Sequence, residues 1–214
     1  MPKSHDFRPV ALTNLAHRIG GWLHAPAFDA SIASARVHAE DQIELAESFE
    51  VWILGPGPVS RGAVSIQSAA QQTKYWHHQI RRNGKATEYA RSIPDSENAD
   101  WEIRAVLASD LASKIERGIE LIDAEPSLEK SEVKLLIVPA HGITALWMVM
   151  DDKTERLLVV DAPQAYQRVS ANRIYDTIEF LKALGQETPA QGIPARLQRN
   201  SPPLPKNADP PPRR

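Results

Sequence analysis

The sequence predicts an α+β domain built on a mainly antiparallel sheet. Three observations carry that prediction. Residues 133–160 hold three closely spaced apolar strands. Their short connectors favour a meander over parallel crossovers. Residues 101–123 repeat Ile103, Leu107, Leu111, Ile115, Ile119 and Ile122 every three or four positions, the spacing of a long amphipathic helix. Residues 74–93 place an Asn83-Gly84 pair between two strand-like runs, the signature of a two-residue hairpin turn.

The elements follow in chain order. Residues 11–24 carry Leu12, Leu15, Ile19, Trp22 and Leu23 at helical spacing, although Gly20 and Gly21 weaken that segment. Residues 29–47 form a second helical candidate, with Asp29 as cap and Ile32, Ala35, Ala39, Ile43 and Ala46 as its stripe. Phe49 to Leu54 is a strand, stopped by Gly55-Pro56-Gly57-Pro58. Ala63 to Gln67 is a short edge strand, and the 74–93 ribbon follows. Asn98 or Asp100 caps the long helix, and Pro126 lies beyond it. Strands Val133–Val138, Ile143–Met150 and Arg156–Val160 form the meander. Residues 172–184 form a last helix before Gly185. Leu107, Leu111, Ile115, Leu136, Leu146 and Trp147 are expected to form one buried cluster.

The 214 residues divide into a single domain at 1–186 and a disordered tail at 187–214. Within the domain, 1–47 is the helical part and 49–186 holds the sheet with its helices. The tail carries eight of the 17 prolines and few apolar residues to offset ordering entropy. At 42% hydrophobic and 24% charged the chain has ordinary globular composition. A formal charge of −2 argues against a protein that coats nucleic acid along its whole surface. The absence of cysteine excludes disulfides, thiolate metal sites and a cysteine nucleophile. No signal sequence and no membrane-length apolar run is apparent, so a soluble cytoplasmic protein is expected.

Chemistry concentrates in Lys74 to Arg91, which packs five basic residues, three aromatics and two histidines together. A type I′ turn at Asn83-Gly84 would set Arg82 opposite Lys85, Ile80 opposite Thr87, His78 opposite Tyr89 and Trp76 opposite Arg91. Lys74, Trp76, His78, Arg81, Arg82, Lys85 and Arg91 are the candidate contact residues for an anionic partner. Basic groups neutralise such a partner, and aromatics stack on unpaired bases. The leading expectation is therefore a non-catalytic binding or adaptor protein. Its partner would be nucleic acid or an acidic protein surface, with no cofactor and no metal.

The alternative is a hydrolase that joins His77 or His78 to His141 and a carboxylate such as Asp161. His77 and His78 are adjacent on one strand and point to opposite faces, so together they cannot chelate one metal. A third expectation is a structural subunit of a larger assembly. The phosphate-loop, dinucleotide, nucleophile-elbow, zinc-protease and calcium-loop motifs are all missing from the sequence.

Overall fold

The computed structural model describes residue 15, residues 42–95 and residues 100–187. The described chain forms one eight-stranded sheet with four α-helices. In order these are β1 (Ile43–Leu54), α1 (Pro56–Ser60), α2 (Ile66–Ala69), β2 (Ala70–Arg82), β3 (Lys85–Asp95), β4 (Asp100–Ala108) and α3 (Asp110–Asp123). Then come β5 (Glu132–Val138), β6 (Ile143–Val149), β7 (Glu155–Asp161), β8 (Arg173–Asp176) and α4 (Thr177–Leu184). No helix among the described residues is long and apolar enough to cross a membrane.

Spatial order is β4-β3-β2-β1-β5-β6-β7-β8. Two four-stranded antiparallel meanders thus meet along a single parallel pair, β1 with β5. That pair requires a long crossover, and α3 supplies it after β4. The meander predicted at 133–160 is β5–β7, extended by β8. In β6, Ala145, Leu146, Trp147 and Met148 are all buried, as expected of a strand covered on both faces.

Several expected elements differ. The long helix at 101–123 begins only at Asp110, and 101–108 is the edge strand β4. Ser109 marks the change, with its hydroxyl accepting from Leu111 N at 3.1 Å, a standard cap. Before it, WEIRAVLA also fits a strand: Trp101, Ile103 and Val106 are buried on one face, their spacing adjusted by a bulge opposite Arg91/Ser92. Residues 43–47, assigned to the second N-terminal helix, belong to β1, where Ile43, Glu44 and Leu45 pair with β2 and a bulge follows before Ser48. The rest of the predicted N-terminal helices lies outside the described residues, apart from Leu15, which is helical and buried. The edge strand expected at 63–67 is absent. Ser65 caps the short α2 there, and its hydroxyl accepts from Ser68 N. Of the helix expected at 172–184, residues 173–176 pair with β7 as β8, and only 177–184 is helical. The tail beyond 187 lies outside the described residues.

The core divides between the two faces. Leu136 and Trp147 lie in a cluster with Phe180, Leu181 and Leu184 of α4. Ile115 and Leu146 lie on the other face, beneath α3 with Ile119, Ile122, Leu158 and Val160. Strand alternation sends neighbouring residues to opposite sides, so one cluster cannot hold both sets. Leu107 and Leu111 are only half-buried. A third cluster, with Leu15, Ile80, Ala90, Trp101, Ile103 and Val106, covers the outer strands β2–β4.

Glu155 ties α2 and α4 to the sheet. Its carboxylate accepts from Ile66 N at 2.9 Å, Gln67 N at 2.8 Å, Ser65 Oγ at 3.3 Å and Thr177 Oγ1 at 3.3 Å. Glu155→Ala leaves these donors without their charged acceptor, and hydrogen bonds to ionised groups are the stronger kind. We expect a loss of about 2 kcal/mol in urea unfolding. A loss below about 0.5 kcal/mol, the usual range for an unremarkable surface change, would contradict a tethering role.

Candidate functional site

The hairpin turns at Asn83-Gly84 as its sequence requires, with φ of 52° and 76° at the two positions. Positive φ at both is the type I′ condition, and Asn-Gly meets it at least steric cost. Arg82 faces Lys85 and Arg81 faces Ala86, but Ile80 then faces Glu88. Thr87 is an extra residue in β3. Its carbonyl accepts from Ser109 N at 3.2 Å, outside the β2–β3 ladder.

This bulge moves every later pair by one. His78 faces Ala90, His77 faces Arg91 and Trp76 faces Ser92. The expected pairs Ile80–Thr87, His78–Tyr89 and Trp76–Arg91 do not form. A one-residue slip moves a side chain to the other face, so Tyr89 and Arg91 lie with His77 on the α3 side. Arg91 sits over the Tyr89 ring at 5.6 Å and not against Trp76, whose ring meets Trp101 edge-on at 5.7 Å.

The arginines at the tip are engaged internally. Arg81 donates to Glu116 of α3 at 2.8 Å and to Glu47 at 3.2 Å. Arg82 pairs with the nearly enclosed Glu88 at 2.5 Å. The sequence shows these arginines as an exposed basic tip, but folding supplies each with a carboxylate. Lys74 and Lys85 are exposed and have no acidic partner among the described residues.

Both hairpin histidines are fully enclosed. His78 Nδ1 lies 2.8 Å from Ser48 Oγ, and its Nε2 lies 2.6 Å from Ser92 Oγ. Burial pushes its pKa down to about 3. The Ser48–His78–Ser92 chain spans β1, β2 and β3. A serine beside a histidine is nucleophile-and-base chemistry, but this network contains no carboxylate and its histidine is closed to solvent. It satisfies polar groups in the core. His77 points the other way and stacks on Tyr89 at 4.4 Å. Its Nε2 lies 3.4 Å from Gln79 Oε1, and Gln79 Nε2 donates to Ala112 O at 2.8 Å. Burial, and secondarily the Arg91 charge, lowers the His77 pKa to about 3.

His141 is buried in the turn between β5 and β6, where its Nδ1 lies 3.0 Å from Tyr166 Oη. Burial lowers its pKa, with Glu187 acting in the opposite sense. Asp161 closes β7 and accepts from Lys114 at 2.8 Å, a lysine shared with Asp110. The hydrolase set is therefore not assembled. His77 and His78 occupy opposite faces of β2, and β6 lies three strand spacings away, about 14 Å. No three His, Asp or Glu residues among those described gather as metal ligands. A shallow groove of about 400 Å³ lies between Leu121, Ala124, Glu125, Leu158, Asn172, Arg173 and Ile174; none of the candidate residues lines it.

Sequence reasoning did not find Ser48, Gln79, Glu88 or Ser92, which hold the polar groups of the hairpin in place. It also missed Lys134, whose ammonium lies 5.1 Å from the Trp52 ring, 5.2 Å from the Trp147 ring and 3.4 Å from Glu132. Only strand pairing brings these residues together. No protein-family model and no curated protein matches this chain.

Proposed function

We propose that the chain is a non-catalytic binding protein whose β2–β3 ribbon meets an acidic protein surface. The observation that carries this reading is a pair of exposed lysines with no acidic partner among the described residues, Lys74 within β2 and Lys85 at the start of β3, opposite Arg82. They stand about 25 Å apart along the strand. Part-buried Arg91 lies between these levels and likewise makes no ion pair among the described residues.

The same geometry favours an acidic protein over nucleic acid. Trp76 and Tyr89 pack against Trp101 and His77, which occupies the rings that unpaired bases would need for stacking. Arg81 and Arg82 already hold carboxylates, so few cations remain for a run of phosphates. His78, enclosed in its serine network, positions the ribbon without touching a partner.

Affinity for polyglutamate, measured across a salt titration, tests the proposal. Lys74→Ala/Lys85→Ala should weaken binding about tenfold and flatten its salt dependence, since surface charges act chiefly through long-range attraction. The fold should be unaffected, because exposed charges contribute little to stability. Unchanged binding by the double variant would overturn the proposal. Tighter binding to duplex DNA than to polyglutamate would overturn the choice of partner.

A further inference from the structure

β8 closes one edge of the sheet and pairs with β7 alone. Among the described residues, no other segment makes a backbone hydrogen bond to its outer side. The opposite edge, β4, is blunted by a bulge and by the exposed Glu102–Arg104 pair, a common protection of an open strand. β8 pairs with β7 without a register shift, and beside it lies the groove of about 400 Å³. The walls of that groove are largely apolar. Ile174 faces the α3 side of the sheet and packs against the cluster that holds Leu158. Leu121 of α3 lines the groove with them and is 38% exposed. Peptides that add a strand to a sheet use such a setting: the edge supplies backbone hydrogen bonds, and adjoining pockets select alternate side chains. β8 has only four residues, so few backbone bonds can form, and the groove and its charge decide the affinity.

That charge is negative. The stretch 118–129 holds Glu120, Asp123, Glu125 and Glu129 and no lysine or arginine. None of the four makes an ion pair among the described residues. Glu125 lines the groove itself, and its carboxylate accepts from Ser127 Oγ at 3.0 Å. α3 ends here with no basic residue in its last turn, so its terminal carbonyls add partial negative charge. Arg173 also lines the groove, but its guanidinium turns to the other face. It lies over the Tyr175 ring at 4.6 Å and pairs with Glu179 of α4 at 2.5 Å.

We propose that this groove receives an extended basic peptide, which adds to β8 as a ninth strand. Such a strand lies about 4.8 Å beyond β8, and its side chains two positions apart share a face. An apolar residue fills the space beside Leu121 and Ile174. A lysine or arginine two positions on reaches Glu125 and the end of α3. The partner is thus a segment of another protein that carries a leucine-like residue and a cation at that spacing. Its charge is opposite to that of the partner of the β2–β3 ribbon, and the proposal does not rest on that reading.

The test follows the amide NMR signals of the full chain as the end-capped peptide Thr-Leu-Thr-Lys-Thr-Lys-Thr is added. Signals from residues 121–125 and 173–176 should shift, and those of Lys74 and Lys85 should stay in place. Replacing both peptide lysines by glutamate should weaken binding at least about tenfold, and replacing the leucine by serine should do the same. Two N-methylated peptides, each blocking one alternate set of backbone nitrogens, separate strand addition from side-chain contact. One should lose binding and the other keep it, because only one set faces β8. Leu121→Lys, at an exposed position, should abolish the response. The proposal is overturned by an absent response at residues 173–176 with millimolar peptide, by equal binding of the glutamate peptide, or by binding of both methylated peptides. Concentration-dependent shifts at residues 173–176 without peptide would overturn it in favour of a second copy of the chain. An unchanged response in Leu121→Lys would also overturn it; if that variant fails to fold, the peptide comparisons on the native chain still decide.

Discussion

Lowering the pH from about 6.5 to about 5 should cost this domain about 3 kcal/mol of stability through His77 and His78 together. Each has its pKa lowered from 6.5 to about 3, with burial as the largest cause. Between those values the unfolded chain binds a proton that the folded chain refuses. Stability therefore falls as pH falls, by about 1.4 kcal/mol per pH unit for each histidine. The contribution is fully present above about pH 6.5 and is lost progressively towards about pH 3. His141, also lowered by burial, acts in the same direction. Above about pH 5 most carboxylates remain ionised, so the histidines dominate that window. Urea unfolding at a series of pH values measures the slope. His77→Phe should roughly halve it, since Phe neither titrates nor loses the stack on Tyr89. A wild-type slope near zero between about pH 5 and 6.5 would show that these histidines protonate without unfolding the sheet. Total stabilities of about 5–15 kcal/mol make the expected loss large enough to bring the domain close to its acid transition.

What was legible in the sequence was local. Asn83-Gly84 allowed one tight turn, and the unbroken apolar run Ala145–Met148 allowed one doubly covered strand. The errors came where two local patterns coincided or where a distant partner decided. In 101–108, Ile103 and Leu107 fit a helical repeat while Trp101 and Ile103 fit a strand. Pairing with β3 selects the strand, and nothing within the segment records that pairing. Thr87 shows the same limit on a smaller scale. Its bulge depends on Ser109, which comes twenty-two positions later, and yet it decides that Arg91 faces His77. The parallel pairing of β1 with β5 joins segments about eighty residues apart, so neither could reveal it alone. For the candidate site, the sequence identified the ribbon and its cations. Which cations remain free depended on Glu47, Glu88 and Glu116, carboxylates whose reach toward Arg81 or Arg82 only the fold establishes.

Enlarging Gly118 should be among the most damaging single changes in the protein. This residue lies in the middle of α3, where glycine costs about 1 kcal/mol relative to alanine, so something must offset that cost. A Cβ at this position would lie 2.7 Å from Val160 Cγ1, 3.0 Å from Leu146 Cδ1 and 3.4 Å from Leu158 Cδ2. The helix rests directly on the sheet here because it has no side chain. Val160 is β-branched and stiff at χ1, and it is buried in β7, while Leu146 is fully buried in the interior strand β6. Neither can yield without disturbing the core. Gly118→Ala gains about 1 kcal/mol of helix propensity but loses more to overpacking, for a net loss of about 1–2 kcal/mol. Gly118→Leu should cost about 3 kcal/mol or more. Lifting α3 also stretches the Lys114–Asp161 and Arg81–Glu116 ion pairs, which join it to β7 and β2. Chemical denaturation of both variants measures the effect. If Gly118→Ala proves more stable than the native protein, helix propensity has prevailed, and α3 does not approach the sheet as closely at Gly118 as these distances require.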